Sequence, residues 1–108
     1  FNEIEIIKWG AITDFDMIIN ATSLGLKNDE NIILDYPKIS PEKFFYDVIY
    51  NPPETNFLKS AKKNGNKIEN GKKMFVYQAQ ASFKIWNNLE PQVDNKVMEL
   101  LNWLKLVF

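Results

Sequence analysis

Two polar interruptions in otherwise apolar runs hold the residue types best suited to bind or react. The first is Asn20-Ala21-Thr22-Ser23-Leu24-Gly25, directly after the β-branched run Met17-Ile18-Ile19. Its amide, hydroxyls and backbone N–H groups suit a phosphate, a ribose or a carboxamide, and open α/β sheets bind ligands beyond the carboxyl ends of their strands. The same residue types are ordinary at strand ends, so an unremarkable turn is the competing reading. The second interruption is Asp47 within Tyr46-Asp47-Val48-Ile49-Tyr50, a segment closed by Asn51-Pro52. A period of two places Tyr46, Val48 and Tyr50 on one face and Asp47 and Ile49 on the other. An aspartate in an apolar strand needs a hydrogen-bonding partner. Tyr50 either turns its hydroxyl to a ligand or is a core tyrosine with a satisfied hydroxyl. A third feature is Gln78, which shares a helical stripe with Met74, Ala81 and Ile85. A buried amide without partners costs about 1–3 kcal/mol, so Gln78 meets a ligand, a water or a neighbour unless it faces solvent. Lys72 and Lys73 stand at the first turn of the same helix, where the dipole disfavours cations and an anion would relieve the conflict.

Composition narrows the chemistry. The 108 residues include no Cys and no His, which removes thiol nucleophiles, disulfides, zinc sites built on these ligands and histidine acid–base catalysis. No metal site is expected. Every basic residue is Lys, so bidentate guanidinium clamps are absent as well. A net charge of -1 does not describe a polycation that coats nucleic acid, and the Lys-rich run from Lys59 to Lys73 lacks interleaved aromatic residues for base stacking. With 45% hydrophobic and 25% charged residues the chain reads as globular. No apolar stretch approaches the roughly 18 residues that span a bilayer, so the expectation is a cytoplasmic protein with neither membrane nor nucleic-acid partners.

The elements that must position these residues follow from periodicity and punctuation. Short strands are predicted over Ile4–Ile7 and Met17–Asn20, the second buried on both faces, with a third over Phe44–Tyr50. Pro37 and Pro41 keep the intervening chain irregular, apart from a helical turn near Pro41-Glu42-Lys43. Thr55 caps a helix over Asn56–Lys63 that exits through Asn64-Gly65. Lys67-Ile68 forms a short strand. A helix over Lys72–Trp86, apolar on two adjacent stripes, is expected to be largely buried. Val93, Val97, Leu100, Leu101 and Leu104 mark a last amphipathic helix that starts near Pro91 and Asp94. Strands alternating with helices after Phe44 point to the α/β class with a parallel sheet, in one domain over 1–108 with closing helices about 72–107.

In this order, the segments Asp16 to Gly25, Tyr46 to Pro52 with Thr55, Phe57, Leu58 and Ala61, and Asn70-Gly71-Lys72-Lys73-Met74 with Gln78 and Ala79 resemble the shikimate dehydrogenases. The similarity runs from about Phe15 to Leu101. It implies a Rossmann-like parallel sheet with flanking helices, of which this chain is the second half of the NADP-binding domain plus the carboxyl-terminal helices. It also implies an oxidoreductase that moves a hydride between NADP(H) and 3-dehydroshikimate or shikimate, in aromatic amino acid biosynthesis. On this resemblance Asn20, Ala21, Thr22 and Ser23 lie along NADP, Val48 and Gly71 lie beside the nicotinamide, and Met74 packs on its ring. Tyr50 reaches shikimate and Gln78 hydrogen-bonds a shikimate hydroxyl. The catalytic lysine–aspartate pair and the glycine-rich phosphate loop of the family have no counterpart here, so the isolated chain is expected to be an inactive fragment that needs the rest of the enzyme. Relatives often read Gly-Leu-Gly-Met where this sequence has Gly71-Lys72-Lys73-Met74, so one glycine is replaced. A quinate-using relative, or a non-catalytic α/β binding module whose exposed sheet edge favours self-association, are the alternatives.

Overall fold

The structure, a computed structural model, describes residues 3–103. Leu104, placed in the last apolar stripe by its spacing, and the rest of the closing segment to 107 lie outside the described residues. The chain divides into two compact units, Phe1–Asn70 and Gly71–Phe108.

The first unit is built on three parallel strands, β1 (Met17–Asn20), β2 (Phe44–Asp47) and β3 (Lys67–Glu69), in the order β1-β2-β3. Helix α1 (Asn56–Lys63) makes the crossover from β2 to β3. Between β1 and β2 the chain runs irregularly, with one 3-10 turn at Tyr36–Lys38 that begins around Pro37. The helical turn stands at Pro37 and not near Pro41, where the sequence placed it, because Pro37 is suited to the first turn of a helix. Residues paired across a parallel ladder share a face. Ile18 and Phe45 therefore lie side by side, as do Asn20 and Asp47, on the side covered by α1. There Phe45, Phe57, Leu58 and Ala61 form the core with Ile32 and Ile39. The Phe45 ring lies 5.2 Å from Phe57, 5.9 Å from Tyr36 and 6.4 Å from Phe15, measured between centroids. Burying a Phe or Leu side chain stabilises by about 1.5–3 kcal/mol, and it is this face that fixes α1 on the sheet.

Helix α1 begins where the sequence places it. Thr55 is extended and its hydroxyl accepts from the Leu58 N–H, while Gly65 at φ +91° carries the chain out of the helix. Phe57, Leu58 and Ala61 are the buried stripe.

Two strand expectations fail. Residues Ile4–Ile7 form no strand, and Ile6 is 94% exposed, because no neighbouring strand among the described residues supplies a ladder. Strand β1 is real but is not buried on both faces: Met17 is 49% and Ile19 56% exposed. It is an edge strand of the described sheet, and within the first unit α1 covers the face that holds Ile18 and Asn20. Strand β2 is also shorter than expected and ends at Asp47, although the Val48 N–H still donates to the Asn20 carbonyl at 3.0 Å.

The second unit holds α2 (Lys72–Asn87) and α3 (Asn95–Trp103). Asn88, left-handed at φ 52°, ends α2, and the Asp94 carboxylate accepts from the Val97 N–H at 3.0 Å to begin α3. The expected burial of α2 is not found: Val76 is its one buried residue, and Ile85 is 80% exposed. Two apolar stripes need two packing partners, and within its unit α2 meets α3 alone, across a groove lined by Phe75, Ala79, Phe83, Val97 and Leu101.

Candidate functional site

The carboxyl ends of β1 and β2 lie side by side, and the two polar interruptions, at Asn20 and at Asp47, meet there. Asn20 is 2% exposed and its side chain is fully engaged within the protein. Its Nδ2 donates to the Leu24 carbonyl at 3.0 Å and to Asp47 Oδ1 at 3.1 Å. Its Oδ1 accepts from the Thr22 N–H at 3.0 Å and the Thr22 hydroxyl at 2.7 Å. Two donors and two acceptor positions are all that a carboxamide has. Asn20 therefore folds the loop into a local turn, and its side chain keeps no capacity for a ligand. Ala21, Thr22 and Ser23 are exposed. The Thr22 hydroxyl donates to Asn20 and accepts from the Leu24 N–H at 3.1 Å, which leaves it one lone pair and no proton to offer. It can accept from a sugar hydroxyl but cannot donate to a phosphate.

The partner that Asp47 requires is found on three sides. Its Oδ1 accepts from Asn20 Nδ2 and from the Ile49 N–H at 2.9 Å, and its Oδ2 accepts from the Thr55 hydroxyl at 2.6 Å. Asp47 is 0% and Thr55 1% exposed. Thr55 also packs on the loop itself, since a Cβ added to Gly25, at φ +114°, would lie 3.0 Å from Thr55 Cγ2. Only glycine fits that close approach at that backbone angle. One buried side chain thus ties three things together: the Asn20–Gly25 loop, the turn carrying Val48 and Tyr50, and the first turn of α1. The sequence offers Thr55 as a helix cap and as one of the residues that carry the resemblance. The signal for its second role was the unpartnered Asp47 eight residues earlier, but nothing in the spacing says that these two side chains meet.

Val48 and Tyr50 are half-buried, immediately after β2. Gly71, Met74 and Gln78 lie in the second unit. Gly71 is the buried N-cap of α2 and its carbonyl accepts from the Phe75 N–H at 2.9 Å. Met74 is 42% exposed. Gln78 is exposed, contrary to the buried amide that its stripe implied, because nothing in its unit covers that face of α2. Its reading as a ligand contact then rests on the resemblance and not on a burial cost. Lys73, where relatives often have glycine, is the second residue of α2 and lies in its first turn. In the Lys-rich run, Lys62 pairs with Glu54 at 2.7 Å, while Lys59 and Lys63 are exposed on α1.

Among the described residues no group of His, Cys, Asp or Glu is placed to hold a metal ion, and no helix is long and apolar enough to cross a membrane.

No family model matches the chain. A shikimate dehydrogenase (NADP+) of Pelagibacter ubique is 64% identical over 102 residues, which is 94% of this chain and 38% of that protein. Over this stretch the chain is similar to the shikimate dehydrogenases. It spans about a third of the length of the curated relatives it matches. A crystal structure of shikimate dehydrogenase in complex with NADP+ superposes with a TM-score of 0.70 at 38% identity, over 86% of this chain and 32% of that one. A quinate dehydrogenase from Corynebacterium glutamicum in complex with NAD superposes equally well, with a TM-score of 0.70 at 30% identity over 82% of this chain and 31% of that one. The parallel sheet and its flanking helices are those of the Rossmann-like fold of this family, in part.

Proposed function

We propose that this chain is the carboxyl-terminal part of the cofactor domain of a cytoplasmic, NADP-dependent shikimate dehydrogenase. The complete protein interconverts 3-dehydroshikimate and shikimate by hydride transfer. The reading is carried by the 64% identity to the Pelagibacter enzyme over nearly the whole chain. The geometry supports it, because the Asn20–Gly25 loop stands at the carboxyl end of a parallel strand, where such sheets bind ligands.

The loop's chemistry fits the sugar–phosphate part of a dinucleotide. Residues 20–25 include no carboxylate to repel a phosphate, Ala21 and Ser23 are small and exposed, and the spare acceptor of Thr22 suits a ribose hydroxyl. In this reading Ala21, Thr22 and Ser23 hold NADP, and Asn20 holds the loop. Val48 and Gly71 flank the nicotinamide, Met74 covers its ring, and Tyr50 and Gln78 orient shikimate. When bound, NADP supplies or accepts the hydride, and the protein's contribution is to position the two reactants. The 108 residues alone are expected to be inactive, since the matched length is about a third of the relatives'.

The test is NADP reduction by the complete protein with shikimate, run beside quinate and beside NAD. Shikimate-dependent reduction of NADP is the expected result. Faster turnover with quinate and NAD would assign the chain to the quinate-using branch. In the same assay Gln78→Ala should lower kcat/KM for shikimate at least tenfold while the KM for NADP stays within about twofold, and an equal loss of both would remove Gln78 from the substrate site.

A further inference from the structure

We propose that the buried Asp47–Thr55 hydrogen bond is the positioning element of the Asn20–Gly25 loop and sets cofactor affinity at a site that neither residue touches. The inference rests on the functional reading above and extends it inward. Asp47 and Thr55 are 0% and 1% exposed, so neither can contact a ligand lying on the loop's outer side. Both control its inner side. Asp47 Oδ1 holds Asn20 Nδ2 at 3.1 Å and the Ile49 N–H at 2.9 Å, while its Oδ2 is held by the Thr55 hydroxyl at 2.6 Å. The carboxyl group is thereby fixed against rotation, and with it the donor of Asn20 that also reaches the Leu24 carbonyl. Thr55 itself cannot drift, because its oxygen caps the Leu58 N–H at 3.4 Å and its Cγ2 lies over Gly25. The Thr55 hydroxyl thus links the first turn of α1 to the Asp47–Asn20 joint at the start of the loop, while Asn56 holds the Glu30 carbonyl at 2.9 Å and the Glu30 carboxylate accepts from the Gly25 N–H at 3.1 Å at its end. Removing that hydroxyl leaves Asp47 Oδ2 and the Leu58 N–H without this partner and the carboxyl held through Oδ1 alone, so the loop loses part of its preorganised shape while every outward-facing group remains present.

Thr55→Val keeps the shape and the contact with Gly25 but deletes the hydroxyl; Asp47→Asn weakens the same bond from its other end, since it replaces a charged acceptor with a carboxamide nitrogen that can only donate to the Thr55 oxygen. In the complete protein each variant should raise the KM for NADP about three- to tenfold with kcat within twofold. The double variant should be no worse than either alone, and Thr55→Ser, which retains the hydroxyl, should stay within twofold of wild type. A purely structural role predicts a lower Tm in all of these with the KM for NADP unmoved, and that result in an active enzyme overturns the proposal. If Thr55→Val does not fold, Asp47→Asn against Thr55→Ser makes the same comparison. A wild-type protein without shikimate-dependent NADP reduction would overturn the functional reading and this inference with it.

Discussion

Gly25→Ala is the substitution whose cost can be worked out most fully from the geometry. Two penalties act at once. Gly25 has φ +114°, a backbone angle that L residues rarely adopt, and holding an alanine there costs about 1–3 kcal/mol. The new methyl would also lie 3.0 Å from Thr55 Cγ2 and 3.1 Å from Thr55 Cβ, and Thr55 is pinned by its bonds to Asp47 and Leu58. Overpacking of that kind adds about 1–3 kcal/mol. The sum, about 2–6 kcal/mol, is a large share of the roughly 5–15 kcal/mol that holds a small domain folded. Equilibrium urea denaturation should show a lower midpoint with little change in slope. The two penalties separate in a double-mutant cycle, because Thr55→Ser removes Cγ2 and relieves the nearer contact while leaving the backbone angle untouched. Gly25→Ala should therefore cost about 0.5–1.5 kcal/mol less in the Thr55→Ser background than in wild type. A Gly25→Ala protein within 0.5 kcal/mol of wild type, or a cycle with no coupling, would refute the close approach of the loop to Thr55.

Burial pushes the Tyr36 hydroxyl, which donates to the Ile32 carbonyl, from 10.0 up to about 12, with a hydrogen bond from Ser60 acting in the opposite direction. Above pH 10 the unfolded chain releases this proton while the folded chain keeps it, so stability is lost as pH rises from 10 toward 12. Because Tyr36 is only half-buried the loss should be about 1 kcal/mol, read as the difference between wild type and Tyr36→Phe in urea melts at pH 9 and pH 11; parallel curves would contradict it. Asn66, buried after α1, donates from Nδ2 to the Ser40 carbonyl at 2.8 Å and the Lys43 carbonyl at 3.0 Å, fastening the approach to β2. Asn66→Ala should cost about 1–3 kcal/mol in the same melts, and a change below 0.5 kcal/mol would show that the segment does not depend on it.

Much of the fold was legible because it is local. Thr55 and Gly65 bracket α1 by capping chemistry, the period of β2 sets Asp47 on the face opposite Tyr46, and the alternation of strand and helix after Phe44 gives a parallel sheet. The sequence also made plain that Asp47 had to have a partner, since an unsatisfied buried carboxyl is too costly to keep. The segment order that resembles the shikimate dehydrogenases needed no coordinates either.

Other features were decided only by tertiary structure, because burial and pairing depend on residues far apart in the chain. Ile4–Ile7 has the composition of a strand but no neighbour to pair with among the described residues, and β1 has a core strand's residues at the edge of the described sheet, with Met17 and Ile19 exposed. Helix α2 carries apolar residues on two faces, yet Gln78 and Ile85 stand exposed, because amphipathicity states what a face can bury and not what lies against it. The joint between Asn20, Asp47 and Thr55 is the clearest case. Each residue has an adequate local explanation as loop, strand and cap, and only the parallel register of β1 with β2, closed by the return of α1, turns the three into one buried hydrogen-bonded unit.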